Sequence, residues 1–346
     1  MAVSATDRRG RVTVFTPRID QLLRERRGSD LFRLDPGTIG IAGADLIDTL
    51  LASRPANENE RPTFKPLQGR SISRTEAATV MQAVSHDVKA ALKKPAPNNI
   101  DLSGEWPHVG HVYLRDMVFG ADPYRLRVLV DRKLELTTKL TWSVIATGAA
   151  RPLSPEPSLS RLGGLTTAAG TYNDRRHAMG LYRRAAAPVC FTVSTLVANA
   201  LWLGAPFDDD TPNLHILLES MRLLPPSWNI LRVASPEFPA IDARIGATDD
   251  ILILPLLSHR DPAIWPDPDD FRPDRWADLD GDNQRGYLPF GHANERCWGR
   301  HMVMPLAEHL LDLLRTGGYT VDPAQRSATV PLAGLLGVTG VRVTRT

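Results

Sequence analysis

Hydrophobic and polar residues follow a helical period along most of the chain, and short strand-like stretches occur near both ends. Residues 30–43 predict a β-hairpin whose turn is formed by Pro36 and Gly37. Residues 73–94 predict an amphipathic helix, because Ser73 and Glu76 have the spacing of an N-terminal capping box. The pattern as a whole indicates a mainly α protein with small β-sheets.

The same period predicts four more helices, at residues 106–120, 123–148, 183–206 and 211–224. The third is apolar on nearly every face, as a helix through the centre of a domain would be, and Pro188 should bend it. Thr211 is the predicted N-cap of the fourth helix, and Leu214 belongs to its predicted apolar stripe. The Pro- and Ser-rich residues 151–160 predict a mobile loop.

Composition narrows the class of protein. The 346 residues are 42% hydrophobic and 23% charged, with a net charge of +2, so we expect neither nucleic acid nor an anionic membrane as a partner. Two cysteines far apart, Cys190 and Cys297, give no disulfide framework and fit a reducing cytoplasm. We see no secretory signal and no uninterrupted apolar run of membrane-spanning length, which predicts a cytoplasmic protein.

The chemistry of Cys297 is the main question that the sequence raises. By itself it is open to three interpretations: a metal ligand, a nucleophile or a buried thiol. A zinc site is disfavoured because one cysteine with scattered histidines lacks the ligand spacing. A nucleophile paired with His292 or His301 is disfavoured because no third group is evident to orient the histidine.

Glu219 and Arg222 form a second candidate constellation. They are three residues apart on one helix face, where the simplest interpretation is a surface ion pair of little value. The Pro-rich residues 259–276 follow, however, and an irregular coil of this kind must satisfy its backbone polar groups. Arg275 is placed to join the pair in that role.

Three motifs in this order resemble the cytochrome P-450 superfamily: E-S-M-R at residues 219–222, F-R-P-D-R-W at 271–276 and F-G-H-A-N-E-R-C-W-G at 290–299. The resemblance covers the chain from about residue 183 onward. It implies a shortened cytochrome P-450 fold in a single domain over residues 1–346. About 1–70 would be its β-rich part and about 71–346 its helical, haem-binding part.

The resemblance also implies a cofactor and a set of site residues. The cofactor would be haem b, with the Cys297 thiolate as the axial iron ligand. Arg232 lies where many members hold a haem propionate, and Thr192 aligns with the threonine of the oxygen-activating relay. The other implied cofactor-binding residues are Phe290, Gly291, Arg296, Gly299 and His259. Glu219, Arg222 and Arg275 would be structural.

Departures from the family pattern affect the expected chemistry. Glu295 stands where a cation usually meets a propionate, and Ala293 stands where glycine is usual. In the central helix Phe191 replaces the acid that precedes Thr192. Because phenylalanine cannot relay a proton, we expect ordinary dioxygen cleavage to be impaired. Pro188 resembles the peroxide-using branch, although Ala187 stands where that branch has arginine.

The function implied is that of a P-450-type oxidoreductase or monooxygenase acting on a specialised metabolite. Electrons would come from ferredoxin and its reductase, unless the enzyme uses peroxide or performs cyclisation, coupling or dehydration without full oxygen activation. The shortened chain implies a pocket that is unusually open, or one that the substrate or a partner protein closes. An open pocket would suit a bulky or carrier-bound substrate, and the expected partner is a small-molecule or carrier-bound substrate. The alternative is a non-catalytic P-450-like protein that supports a partner biosynthetic enzyme.

Overall fold

The computed structural model describes residues 11–53, 67, 69–96, 100–119, 161–291, 296–325, 329–333 and 336–345. The chain divides into two compact units, each assembled from separated segments. The first contains residues 1–60, 196–297 and 317–346, and the second contains residues 61–195 and 298–316. The single domain that the sequence predicts over residues 1–346 stays a prediction. The predicted helix at 123–148, the predicted loop at 151–160, and His292, Ala293 and Glu295 lie outside the described residues.

Among the described residues, helices make up most of the regular structure, and every strand is short. The helices are α1 (Pro17–Glu25), α2 (Ala44–Ala52), α3 (Arg74–Leu92), α4 (His108–Phe119), α5 (Leu162–Ala168), α6 (Tyr172–Gly204), α7 (Asn213–Leu223), α8 (Phe238–Ile241), α9 (Pro255–Ser258) and α10 (Arg300–Thr316). The strands are β1 (Val12–Val14), β2 (Leu31–Asp35), β3 (Thr38–Ile41), β4 (Gly104–Trp106), β5 (Ile230–Arg232), β6 (Asp250–Ile253), β7 (Tyr319–Val321), β8 (Thr329–Ala333), β9 (Gly337–Val338) and β10 (Val341–Arg345). The predicted mainly α architecture is confirmed.

A four-stranded mixed sheet with the order β2-β3-β6-β5 organises the first unit. The predicted hairpin forms its β2–β3 pair, with Asp35 opposite Thr38 across the turn. β3 runs parallel to β6, and β5 runs antiparallel to β6 with Arg232 opposite Ile251. Buried isoleucines of β3 and β6 form an apolar cluster with α2. The partly buried Ile230, at the start of β5, packs against this cluster.

Two smaller β elements complete the first unit. β1 pairs in parallel with β8, β8 pairs antiparallel with β9, and β7 pairs antiparallel with β10. The buried amide of Asn199 on α6 holds the start of β9, because it donates to the Leu336 carbonyl at 3.2 Å and accepts from the Val338 N–H at 2.9 Å. Leu336 has a φ of 51°, a conformation that L residues rarely adopt.

The second unit is built around long helices. α3 packs against α4 and α10, and it begins with the predicted capping box, in which Ser73 and Glu76 bond reciprocally. Asp87 on α3 is buried and accepts hydrogen bonds from the Tyr182 hydroxyl and from the Arg161 N–H. Burial raises the pKa of this carboxyl, and these two donors oppose the rise.

α6 is the predicted central helix, and Pro188 lies inside it as predicted. It starts at Tyr172, eleven residues before the predicted start at residue 183. The prediction missed these first turns because they are polar. They are capped by Thr171, whose hydroxyl bonds the side chain and the N–H of Asp174. By length and composition it is the single described helix able to cross a membrane, but 72% of its most apolar stretch is buried inside the protein. A core helix passes the same test.

α7 differs in detail from its prediction. Its N-cap is Pro212 rather than Thr211, so that prediction is wrong by one residue. Leu214 is 40% exposed, so its place in an apolar stripe is also wrong. The buried face instead includes Glu219, Ser220 and Arg222, whose burial requires internal hydrogen bonds.

Candidate functional site

Glu219 and Arg222 form a fully buried ion pair on α7. The guanidinium binds the carboxylate through two hydrogen bonds, Nε to Oε2 at 2.9 Å and Nη2 to Oε1 at 2.8 Å. Neither side chain is exposed to solvent. The pair is therefore a built-in structural element, unlike the exposed pair that its spacing alone suggests.

Three further donors reach the Glu219 carboxylate. Arg275 donates to Glu219 Oε1 at 3.2 Å, the Arg272 N–H donates to the same oxygen at 2.9 Å, and the Trp276 indole N–H donates to Oε2 at 2.9 Å. The structure thus brings together the three residues that the sequence predicts as structural. Trp276 is the last residue of the F-R-P-D-R-W motif, but the sequence did not predict its bond to Glu219; its position directly after Arg275 was the available signal.

Arg222 also ties down the Pro-rich coil. Its guanidinium donates to the carbonyl oxygens of His259 at 2.8 Å, Pro268 at 2.7 Å and Asp270 at 3.0 Å. A charged donor that reaches three carbonyls replaces the backbone pairing that helices and strands supply elsewhere. The coil between α9 and the cysteine segment, by which we mean residues 290–291 and 296–299 around Cys297, is consequently fixed to α7.

His259 is the first residue of this coil, directly after α9, and is fully buried. Its Nε2 accepts a hydrogen bond from the Leu288 N–H at 2.8 Å, and its ring lies against Tyr287 with ring centroids 5.0 Å apart. Burial, reinforced by the charges of Arg222 and Arg260, lowers the pKa of His259 to about 3. The imidazole is therefore neutral and supports the chain that leads into the cysteine segment. A direct cofactor contact of His259 stays a prediction.

The cysteine segment turns sharply at Gly291. Gly291 has a φ of 86°, which favours glycine, and the Cys297 N–H returns to donate to the Phe290 carbonyl at 2.8 Å. Cys297 is exposed, whereas Cys190 is completely buried and burial raises the pKa of its thiol to about 12. Of the two cysteines, only Cys297 is accessible to a bound group.

The remaining predicted residues occupy different elements. Arg232 is buried on β5, while Leu231 and Val233, its neighbours on the opposite face, are 43% and 62% exposed. Arg296 contacts the carbonyl oxygen of Asp282 at 2.5 Å. The carbonyl oxygen of the buried Gly299 accepts hydrogen bonds from the Met302 and Val303 N–H groups in the first turn of α10. This helix therefore begins shortly after the cysteine, as predicted.

Thr192 belongs to α6 within the second unit, where it and Phe191 are half-buried. The Phe191 carbonyl accepts a hydrogen bond from the Ser194 hydroxyl at 3.0 Å. The single acid within α6 is Asp174, which is eighteen residues before Thr192 (192 − 174). At the rise of an α-helix this is roughly 27 Å along the axis, so α6 itself offers no carboxylate near Thr192.

The donor chemistry around Cys297 fits a metal group that brings its own ligands. Among the described residues, no group of three or more His, Cys, Asp or Glu side chains is arranged to hold a bare metal ion. A lone accessible cysteine can instead be the axial ligand of a haem, whose macrocycle supplies the other donors. The buried cation of Arg232 suits the anionic propionates of such a group.

Comparison with known proteins agrees with this chemistry. Residues 215–314 match the family model described as Cytochrome P-450. Cyclooctatin synthase of Streptomyces melanosporofaciens is 39% identical over 120 residues, which are 33% of this chain and 26% of that protein. Cyclooctat-9-en-7-ol 5-monooxygenase of the same organism is 35% identical over 31% of this chain and 24% of that protein. The chain thus spans about a quarter of the length of these curated relatives.

Solved structures extend the likeness to nearly the whole chain. Cytochrome P-450 CYP109Q5 from Chondromyces apiculatus superposes with a TM-score of 0.60 at 18% identity, covering 97% of this chain and 99% of that one. P-450 BioI in complex with an acyl carrier protein gives 0.57 at 14% identity, covering 95% and 97%. The fold is that of the cytochrome P-450 structures, and the family match over residues 215–314 includes the segment around Cys297, so the chain is similar to haem-thiolate proteins of the cytochrome P-450 type. The cofactor of this family is haem b with an axial cysteine.

Proposed function

We propose that the protein is a haem-thiolate oxidoreductase that acts on a specialised metabolite in the cytoplasm, by oxidation or by oxidative cyclisation or coupling. The observation that carries the proposal is the Glu219–Arg222–Arg275 network, which is buried and hydrogen-bonded, in a chain whose Cys297 is accessible. A buried ion pair of this kind contributes specific geometry more than stability, so its retention favours a site that is still used. Haem would supply the oxidation chemistry.

The residues have distinct roles in this proposal. Cys297 would be the iron ligand, and Arg232 would bind a propionate from β5. Glu219, Arg222 and Arg275 would hold the coil that carries the cysteine segment. Cofactor contacts of Phe290, Gly291, Arg296, Gly299 and His259 remain part of the proposal.

Substrate class and partners are inferred from chemistry and from relatives. The named relatives belong to the synthesis of cyclooctatin, which supports a specialised metabolite as substrate. The solved complex of P-450 BioI with a carrier protein that bears hexadec-9Z-enoic acid supports carrier-bound substrates as well as free small molecules. Where dioxygen is the oxidant, ferredoxin and its reductase are the proposed electron donors.

Oxygen activation is proposed to be atypical. Thr192 keeps a hydroxyl, but Phe191 beside it has no exchangeable proton, and the nearest acid of α6 is distant. A peroxide, which already contains the two electrons and two protons that dioxygen must acquire, would bypass this gap. We therefore propose that peroxide sustains product formation better than a ferredoxin system does.

The decisive experiment is the absorption spectrum of the ferric protein and of its ferrous–CO complex. We expect the red-shifted Soret band of a thiolate ligand in the wild type and in Cys190→Ala, and its loss in Cys297→Ser. The same band in Cys297→Ser would refute the ligand assignment. A protein that stays colourless with added hemin would instead favour the non-catalytic auxiliary function.

Product formation then separates the possible oxidants. Candidate substrates are incubated with hydrogen peroxide or with ferredoxin, its reductase and dioxygen. Turnover by the ferredoxin system alone, with an oxygen atom from dioxygen in the product, would contradict atypical activation.

A further inference from the structure

Arg296, the residue directly before Cys297, is anchored to another part of the chain. Arg296 Nη2 donates to the main-chain carbonyl of Asp282 at 2.5 Å, and its Nη1 lies 4.0 Å from Asp282 Oδ2. The Arg296 side chain is only 29% exposed. The hydrogen bond goes to a backbone oxygen, so the acceptor does not depend on the side chain of residue 282.

The acceptor belongs to a turn that is already ordered by its own contacts. Asp280 Oδ1 accepts the Asp282 N–H at 2.8 Å, and Asp280 Oδ2 accepts the Asn283 side-chain amide at 2.6 Å. The Asp280 carbonyl accepts the Gln284 N–H at 2.8 Å. Such side-chain-to-backbone bonds fix a turn locally. Arg296 therefore binds a preformed acceptor.

The same turn packs against α7. A Cβ atom added to Gly281 would lie 3.0 Å from both Cδ atoms of Leu218, so the turn backbone packs closely on this side chain. The Tyr287 hydroxyl donates to the Leu218 carbonyl at 2.8 Å, which adds a second contact between this stretch and the helix. Leu218 precedes Glu219, whose buried network immobilises α7. A continuous series of contacts thus runs from α7 through the turn to Arg296.

We propose that Arg296 is a positioning residue that fastens the cysteine segment to the Asp280–Asn283 turn and so keeps the Cys297 sulfur in place as the iron ligand. The inference rests on the proposed haem-thiolate function. The Cys297 N–H bond to the Phe290 carbonyl restrains the segment at one point, and Arg296 restrains it at a second. Arg296 thus adds a side-chain anchor directly before the ligand, and without this anchor the sulfur would be held less firmly.

The test measures how long the reduced holoenzyme keeps its thiolate ligand. The ferrous–CO complex is formed, and the decay of its thiolate Soret band is followed over time. Arg296→Met keeps the length of the side chain but removes every donor, so the band should decay about tenfold faster than in the wild type. Arg296→Lys keeps one cationic donor and should restore part of the lifetime. Asp282→Asn retains the carbonyl acceptor and should stay within about twofold of the wild type.

Matched controls separate positioning from charge and from folding. Arg285→Gln removes an equally charged arginine of the first unit, paired with Asp45 on the surface, and should leave the lifetime unchanged. The urea midpoint of Arg296→Met should match that of the wild type. An unchanged lifetime in Arg296→Met would overturn the proposal, and so would equal loss in Asp282→Asn, which would implicate the ion pair. A wild type without a thiolate band would refute the proposed function, and this inference with it.

Discussion

The imidazole Nε2 of His259 accepts a hydrogen bond from the Leu288 N–H at 2.8 Å, in an environment with no solvent contact for His259. Only a neutral imidazole has a ring nitrogen free to accept. The bond therefore couples the protonation state of one buried residue to the chain that enters the cysteine segment.

This coupling predicts a dependence of stability on pH. The pKa of His259 is about 3 in the folded protein, well below the value of about 6.5 expected in the unfolded chain. On acidification the unfolded state binds the proton first, so stability that is complete above pH 6.5 is lost progressively down to pH 3. From pH 7 to pH 5 we expect the His259 contribution to fall by about 2 kcal/mol, measured by urea unfolding.

His259→Gln is the matched variant, because a glutamine oxygen can accept the Leu288 N–H without titrating. Its unfolding free energy should be less sensitive to pH by about the same 2 kcal/mol. Burial also lowers the pKa values of His177 and His309, and their contributions cancel in this comparison. An equal loss of stability in the variant and the wild type would contradict the assignment.

The burial of Glu219 predicts that removing its charge lowers the free energy of unfolding much more than breaking an exposed ion pair does. Glu219→Gln removes the charge that Arg222 and Arg275 share, and should cost about 3–5 kcal/mol because two buried cations lose their partner. Asp45→Asn breaks the exposed pair with Arg285 and should change the free energy of unfolding only slightly, because solvent screens this pair. Urea unfolding of both variants measures the contrast, and similar costs would show that the network is not a structural centre.

The sequence predicts local features of this fold well and long-range ones less well. The hairpin turn at Pro36 and the capping box at Ser73 depend on neighbouring residues, and both are found as predicted. The Glu219 network was predictable because its residues belong to motifs whose order along the chain resembles that of one known family. The contact of Arg296 with Asp282 was not predictable, because it depends on how a turn fourteen residues away (296 − 282) packs on α7.

The two hydrogen bonds of Asn199 predict that its loss weakens the first unit locally, at the start of β9. Asn199→Ala leaves the Val338 N–H and the Leu336 carbonyl without their partner, and should cost about 2–4 kcal/mol. Hydrogen exchange at the Val338 amide should accelerate more than at the amides of α7. Asn283→Ala, which alters an exposed asparagine, is the comparison, and protection of Val338 that is equal in both variants would contradict the prediction.

Phe191 gives a prediction about proton delivery that a single substitution can test. Phe191→Asp places a carboxylate directly before Thr192, where α6 otherwise has no acid within reach. If proton supply limits dioxygen use, the fraction of reductant electrons recovered in product should rise about tenfold or more with the ferredoxin system, since positioned acids contribute on that scale or above. Phe191→Asn is the matched control, because an asparagine side chain has nearly the same shape as aspartate but no acidic proton. This variant should show no gain. Peroxide-driven turnover should change little in either variant, since it does not depend on this step. An equal gain with asparagine would mean that the space vacated by the aromatic ring, rather than the proton, is what limits the wild type.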